Sequence, residues 1–348
     1  KLRYEFLHRY YQTHRRKLRD YLFAFIGVFA RLGHHFSAVV NPLLGWESAK
    51  NMAEKWLGFS AKRQFPILQQ KSFHRRAKEE RVGMSKRYKQ ADVLLLSDPF
   101  IEYFQPEIGL AAVRVLHALG YQVGLLPVIG SGRTLISKGF LPAARRHASR
   151  LVETVDQMDP DGQIPVIGLE PSEIYTLRDE YFDLLPGDQR VQRLADRSWM
   201  IDEFLVRPGG DGLPRINRLL LNESTRSKKV YLHGHCYQKS QPLRPDGRSV
   251  GEHATRELLA LCGYDVAVIE GSCCGMAGAF GYEAEHYDLS MQVGELSLFP
   301  GLRAAGVGID HEMLIVAAGV SCQAQIKDGV GRTALHPIQL LAQLLEVD

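Results

Sequence analysis

The chain has no cysteine in its first 235 residues and only five in 348. So late and odd-numbered a set of thiols excludes a secreted disulfide framework and fits a reducing compartment. Long apolar runs are missing too. The longest, Tyr21 to Ala30, falls well short of the roughly 20 residues that a bilayer-spanning helix needs. Charged Lys1 and Arg3, with no small-residue cleavage pattern behind them, do not read as a signal peptide. There is no initiator Met, and the expectation is that the chain is a piece of a longer protein. With 45% hydrophobic and 24% charged residues, 32 Gly and 16 Pro, the composition excludes a disordered or collagen-like chain. The length exceeds one comfortable core, so two or three domains are expected.

The net charge of +4 conceals a division. Residues 1–90 carry 20 Lys and Arg against 6 Asp and Glu, about +14, which leaves 23 against 33, about −10, for residues 91–348. The first segment reads as helical, because Leu, Tyr and Phe recur at steps of three and four from Tyr4 to Leu32. Its basic residues, interleaved with Tyr10, Tyr11, Tyr21 and Phe23, suit a solvated face over an apolar stripe or an acidic partner. Nucleic acid is not expected, since the chain beyond residue 90 is acidic.

From residue 91 the pattern becomes strand, crossover helix, parallel strand: Val93 to Leu96, a helix from Glu107 to Leu119, then Val123 to Leu126. Val230 to Leu232, Gly251 to Leu261 and Val266 to Ile269 repeat that order. The second strands open alike, Gly120-Tyr121-Gln122-Val123 against Gly263-Tyr264-Asp265-Val266. Superposing the two copies sets Gly130, Ser131 and Gly132 opposite Cys273, Cys274 and Gly275. Asp98-Pro99 falls opposite His235-Cys236, and Ser172 opposite Cys322. The expected fold is therefore α/β, two tandem Rossmann-like repeats related by a pseudo-twofold and preceded by a helical basic segment. The expected boundaries are a basic connector over 1–90, a cysteine-free repeat over 91–185, a helical linker over 186–228 and a cysteine-bearing repeat over 229–348.

Residues just beyond the carboxyl ends of parallel strands converge on one crevice. Cys236, Cys273, Cys274 and Cys322 each follow a predicted strand, so the fold gathers them. Clustered thiolates repel one another and need a cation, and a soft thiolate set selects zinc or an iron–sulfur centre over magnesium or calcium. His235 adjoins Cys236 and is either a ligand or a neighbour that tunes the sulfur. His233, two residues earlier, shares its side-chain direction. Cys262, after apolar Leu258 to Leu261, reads as a core residue. Glu283 and His286 open a helix expected from Gly281 to Leu298, where they form either a solvated face or an acid/base pair. Gly130-Ser131-Gly132 lacks the third glycine of a dinucleotide-binding loop, because Leu135 stands there.

These residues resemble a known family. Cys236, Cys273-Cys274-Gly275 and Cys322 are similar to the cysteine-rich CCG domain of heterodisulfide reductases and of glycolate oxidase iron–sulfur subunits. The set His235-Cys236, Ser272 to Gly278, Gly281, Glu283, Ser321-Cys322, Gln325 and His336-Pro337 is similar to the carboxyl-terminal part of bacterial FAD-linked, iron–sulfur dehydrogenases of the D-2-hydroxyglutarate and D-lactate type. Phe6-Leu7, Tyr10-Tyr11 and Leu18 to Leu22 look like the segment that follows the ferredoxin-like cluster of those enzymes. Two departures stand out. Gln325 occupies the second position of the final cysteine pair, which argues against the five-thiolate double cluster of heterodisulfide reductases. The chain also has neither a C-x-x-C run nor a flavin domain.

The resemblance implies an electron-transfer portion of an FAD-dependent D-2-hydroxyacid dehydrogenase, with FAD and ferredoxin-like domains on another part of the same enzyme and an electron acceptor beyond. Cys236, Cys273, Cys274, Cys322 and His235 would hold a four-iron cluster or, alternatively, zinc in a structural docking module. Gly275 would let the backbone pass close to the centre, with Gln325 beside it. A cytoplasmic location follows, with room for peripheral attachment at the inner membrane and for a homo-oligomer. The isolated chain is expected not to oxidise hydroxyacids.

Overall fold

The structure is a computed structural model that describes residues 1–80, 90–219, 228–242, 246–271, 273–306 and 313–345. It divides into two compact units. One comprises residues 1–110 and 122–199, the other residues 111–121 and 200–348.

The basic segment belongs to the first unit. It is helical as its periodicity requires, with helices Leu2–Thr13, Leu18–Ala24, Ile26–Gly33, Ser37–Gly45, Glu47–Leu57 and Phe73–Glu80. Its charge is not all solvated. Arg63 is fully buried and Arg19 nearly so, and the Arg19 guanidinium donates to the Gly58 carbonyl at 2.8 Å. Arg16 donates to the carbonyls of Lys138 and Gly139 at 2.6 and 2.9 Å. Lys138 in turn meets Asp20 at 3.0 Å in a buried ion pair. Several basic side chains are thus structural clamps. No single described helix is long and apolar enough to cross a membrane, although Leu18–Ala24 with residues 26–45 passes as a pair bent by 79°.

The rest of the first unit is built on a sheet of β1 (Val93–Leu96), β2 (Val123–Leu125), β3 (Val166–Gly168) and β4 (Ser198–Met200), in the order β2-β1-β3-β4. β1 pairs in parallel with both neighbours, Val93 opposite Val123 and Leu94 opposite Val166. All four β1 residues, Val-Leu-Leu-Leu, are buried, as a parallel strand covered on both faces demands. β4 corrects the sequence reading, which placed these residues in a helical linker. Three residues carry too little alternation to announce a strand, and pairing against β3 is what defines it.

The second unit repeats the arrangement with β5 (Lys229–Leu232), β6 (Asp265–Val268) and β7 (Leu314–Val316) in the order β6-β5-β7. β5 is again central and parallel to both neighbours, Val230 facing Val266 and Leu314. Leu335 adds a parallel bridge to Val316 on the outer side of β7. The expected helix from Gly281 to Leu298 is broken. Short 3-10 turns at Phe280–Tyr282 and Ala284–His286 precede a helix Tyr287–Glu295, and a separate helix Leu298–Ala304 follows. Glu283 and Ser297 adopt non-helical dihedrals at the breaks.

Candidate metal centre

The carboxyl ends of β5 and β7 deliver the functional residues. β5 runs into His233-Gly234-His235-Cys236, and Cys236 opens the short helix Cys236–Lys239. His235 is the N-cap of that helix. Its Nδ1 accepts from the Tyr237 N–H at 3.2 Å, and its own N–H donates to Gln238 Oε1 at 3.1 Å, a reciprocal capping box. Gln238 is itself held, since its Nε2 donates to Asp202 Oδ2 at 3.1 Å and Thr255 Oγ1 at 2.9 Å. His336 and Gln339 form the same box at the start of helix Pro337–Gln343, so two of the residues that carry the resemblance, His235 and His336, are helix caps. The pattern H-x-x-Q at 235–238 and 336–339 was the sequence signal for this.

β7 leads through Gly319 into helix Val320–Val330, which carries Cys322 and Gln325 inward, both buried. Gly319 is required by close approach, because a Cβ there would lie 2.4 Å from the His235 ring. The turn from Cys273 to Gly278 lies between these strands in sequence; Ser272 is outside the described residues. Gly275 has φ +97°, and a Cβ on it would meet the Ser290 carbonyl oxygen at 2.1 Å. The glycine therefore admits the backbone of helix Tyr287–Glu295, and this is the closest approach it serves. Gln325 Nε2 donates to the same Ser290 carbonyl at 2.9 Å, while its Oε1 is buried with no hydrogen-bond partner.

The thiols have different surroundings. Cys274 and Cys322 are buried in an apolar cluster with Met276, Phe299, Ile315 and Ile326. Cys273 is half-buried and Cys236 exposed, with Cys236 Sγ 3.9 Å from His235 Nδ1. The five cysteines form no disulfide. The Gly275 N–H donates to Cys273 Sγ at 3.3 Å. A hydrogen bond with Cys274, followed by burial, raises the Cys273 pKa. For Cys274 the Cys273 hydrogen bond lowers the pKa, but the Cys322 hydrogen bond, burial and the Cys322 charge together carry it well above the thiol range. These thiols stay neutral unless a cation draws off their protons. Cys262 lies elsewhere in the core, its pKa pushed up to about 12 by burial alone.

Among the described residues, one group brings potential ligand atoms within 4.8 Å of one another: His233, Cys274 and Cys322, all buried. His233 is 2% exposed. Neither ring nitrogen has a hydrogen-bond partner, and burial pushes its pKa down to about 3, so the imidazole is neutral. Buried polar nitrogens without partners are rare because each forfeits its hydration. The donor set of thiols and a neutral imidazole fits a borderline-soft metal. The sequence placed His233 near His235 but not among the ligands; only the packing of β5 against the other turns marks it.

The other paired residues contribute less to this chemistry. His286 Nδ1 lies 3.0 Å from Glu283 Oε2 but without hydrogen-bond geometry, and its ring stacks on Phe280 at 4.1 Å. In the first unit the positions opposite the cysteines hold a carboxylate network. Asp98 Oδ1 caps helix Pro99–Tyr103 through the Phe100 and Ile101 N–H groups, and Ser131 Oγ donates to Glu173 Oε2 at 2.6 Å.

No family model matches the chain. Over 99% of its length the chain is 26% identical to the D-2-hydroxyglutarate dehydrogenases of Escherichia coli K12 and of Pantoea ananatis, and it covers 32% of each. Over 96% of its length it is 28% identical to one subunit of the anaerobic glycerol-3-phosphate dehydrogenase of Escherichia coli K12, and it covers 79% of that polypeptide. The chain is thus similar to parts of dehydrogenases and spans about a third of the first two.

Proposed function

We propose that the chain is the metal-bearing, electron-transferring portion of an FAD-linked dehydrogenase that oxidises a D-2-hydroxyacid, D-2-hydroxyglutarate above others, to the 2-oxoacid. The single observation that carries this reading is the buried set of Cys274, Cys322 and an imidazole with no other partner, with Cys273 alongside. The two α/β units are read as tandem CCG-type repeats of which only the second keeps its thiols. The named relatives are dehydrogenases, and alignment across nearly the whole chain supports the same role here.

In this reading Cys273, Cys274 and Cys322 would hold iron as thiolates, with Cys236 the remaining thiol the resemblance assigns to the site. An iron–sulfur cluster supplies one-electron acceptance and release at such a site. The apolar wall of Met276, Phe299 and Ile326 keeps water away from the sulfurs, and Gly275 with Gln325 fixes the thiol turn against helix Tyr287–Glu295. Flavin and ferredoxin-like portions of the enzyme are the proposed electron donors, and a separate acceptor takes the electrons on, the chain acting alone or as a homo-oligomer. The basic first segment, with Phe29, Leu32, Phe36, Trp46 and Trp56 exposed, is the proposed docking face for the flavin-bearing part. The proposed location is the cytoplasm, where thiols stay reduced, up to the inner face of the membrane.

Anaerobically purified protein should contain iron and acid-labile sulfide, absorb in the visible range and titrate reversibly in a redox experiment. A colourless protein with one zinc per chain overturns the electron-transfer role. One observation favours that second reading, a zinc-stapled docking module: ligand atoms gathered within 4.8 Å also suit a single tetrahedral ion.

A further inference from the structure

We infer that His233 supplies an imidazole ligand to the metal centre, making it a mixed thiolate–imidazole site in which His235 is a helix cap. The inference rests on the reading that the thiols hold a metal and goes beyond it in assigning the nitrogen donor. Three observations carry it. A ring nitrogen of His233 lies within 4.8 Å of both Cys274 Sγ and Cys322 Sγ. Both of its ring nitrogens are buried without a hydrogen-bond partner, an arrangement that costs folding free energy unless something else binds there. By contrast, His235 Nδ1 already accepts the Tyr237 N–H, and the Gly319 backbone packs against the other side of that ring. Its lone pair at Nδ1 is committed to the start of helix Cys236–Lys239.

The proton balance is simple. On loading, each ligating cysteine releases one proton to solvent, whereas neutral His233 binds through a ring lone pair and releases none. Replacing a thiolate by a neutral imidazole removes one negative charge from the centre, which stabilises its reduced form and raises its potential, as histidine ligation does in two-iron centres. A thiolate at position 233 reverses that change.

The test uses the full chain loaded anaerobically with iron and sulfide, with and without nitrogen-15 histidine, and reads nitrogen hyperfine coupling of the reduced centre by pulsed EPR. The wild type and His235→Ala should show a histidine coupling that responds to the isotope. His233→Cys should bind the same iron, lose the coupling and titrate at a lower potential. His233→Ala should bind iron at least about 10-fold more weakly, with circular dichroism of the metal-free proteins reporting whether each variant is folded. A loaded wild-type centre with no histidine coupling, or a coupling lost in His235→Ala and kept in His233→Cys, overturns the inference while leaving the metal site intact. Failure of the wild type to bind iron and sulfide overturns the proposed function and this assignment together.

Discussion

The cysteines separate by surroundings, and substitutions should separate them by outcome. Cys274→Ser and Cys322→Ser are expected to abolish stoichiometric iron binding, measured by metal analysis, because each removes a buried thiol from the set that His233 joins. Cys262→Ser should leave metal content unchanged and lower stability by about 1–2 kcal/mol in urea melts, since it buries a hydroxyl where an apolar thiol sat. Gly275→Ala should cost about 2 kcal/mol or more, because the residue sits at φ +97° against the Ser290 carbonyl. The places of Cys236, Cys273, Cys274 and Cys322 after strands, and of Cys262 in the core, could be read along the chain. The importance of His233 could not. A histidine on a strand looks the same in sequence whether its ring is hydrogen-bonded or orphaned, and only the surrounding packing distinguishes the two.

At the scale of the element, the same turn is used with different side chains in the two units. Asp98 caps the helix after β1 and His235 the helix after β5. Asp98 is fully buried with Oδ2 unpartnered, and burial, then the nearby Glu173 and Glu170 charges, raises its pKa well above the usual carboxylate range. The folded protein therefore keeps a proton that the unfolded chain loses near pH 4. Stability should fall as pH rises from there until Asp98 ionises in the fold. Asp98→Asn keeps a competent cap and should flatten that slope, its melting temperature exceeding the wild type by more at pH 8 than at pH 5. Gln238→Ala breaks the cap at His235 and leaves Asp202 without its amide donor. A loss of about 1–3 kcal/mol is expected, with weaker iron retention on dilution as the second measurement.

At the scale of the whole molecule, the chain is an α/β protein with two parallel sheets and a basic helical segment that is part of the first unit's packing. Asp20→Ala removes the carboxylate that meets the Lys138 ammonium, nine-tenths buried, at 3.0 Å. Breaking a buried pair from one side should destabilise that unit by about 3 kcal/mol in a thermal or urea melt, more than a solvated basic face would allow. The sequence by itself determined the strand–helix–strand order, the doubling of that order and the placing of thiols after strand ends, because periodicity and composition are local properties. Only the tertiary structure decided that Ser198–Met200 is a strand, that Arg19 and Arg63 are inside, that Gly275 yields to a helix backbone and that a His233 ring nitrogen lies within 4.8 Å of two sulfurs. Each of these depends on which distant segment lies opposite, a long-range fact that no window of the sequence contains.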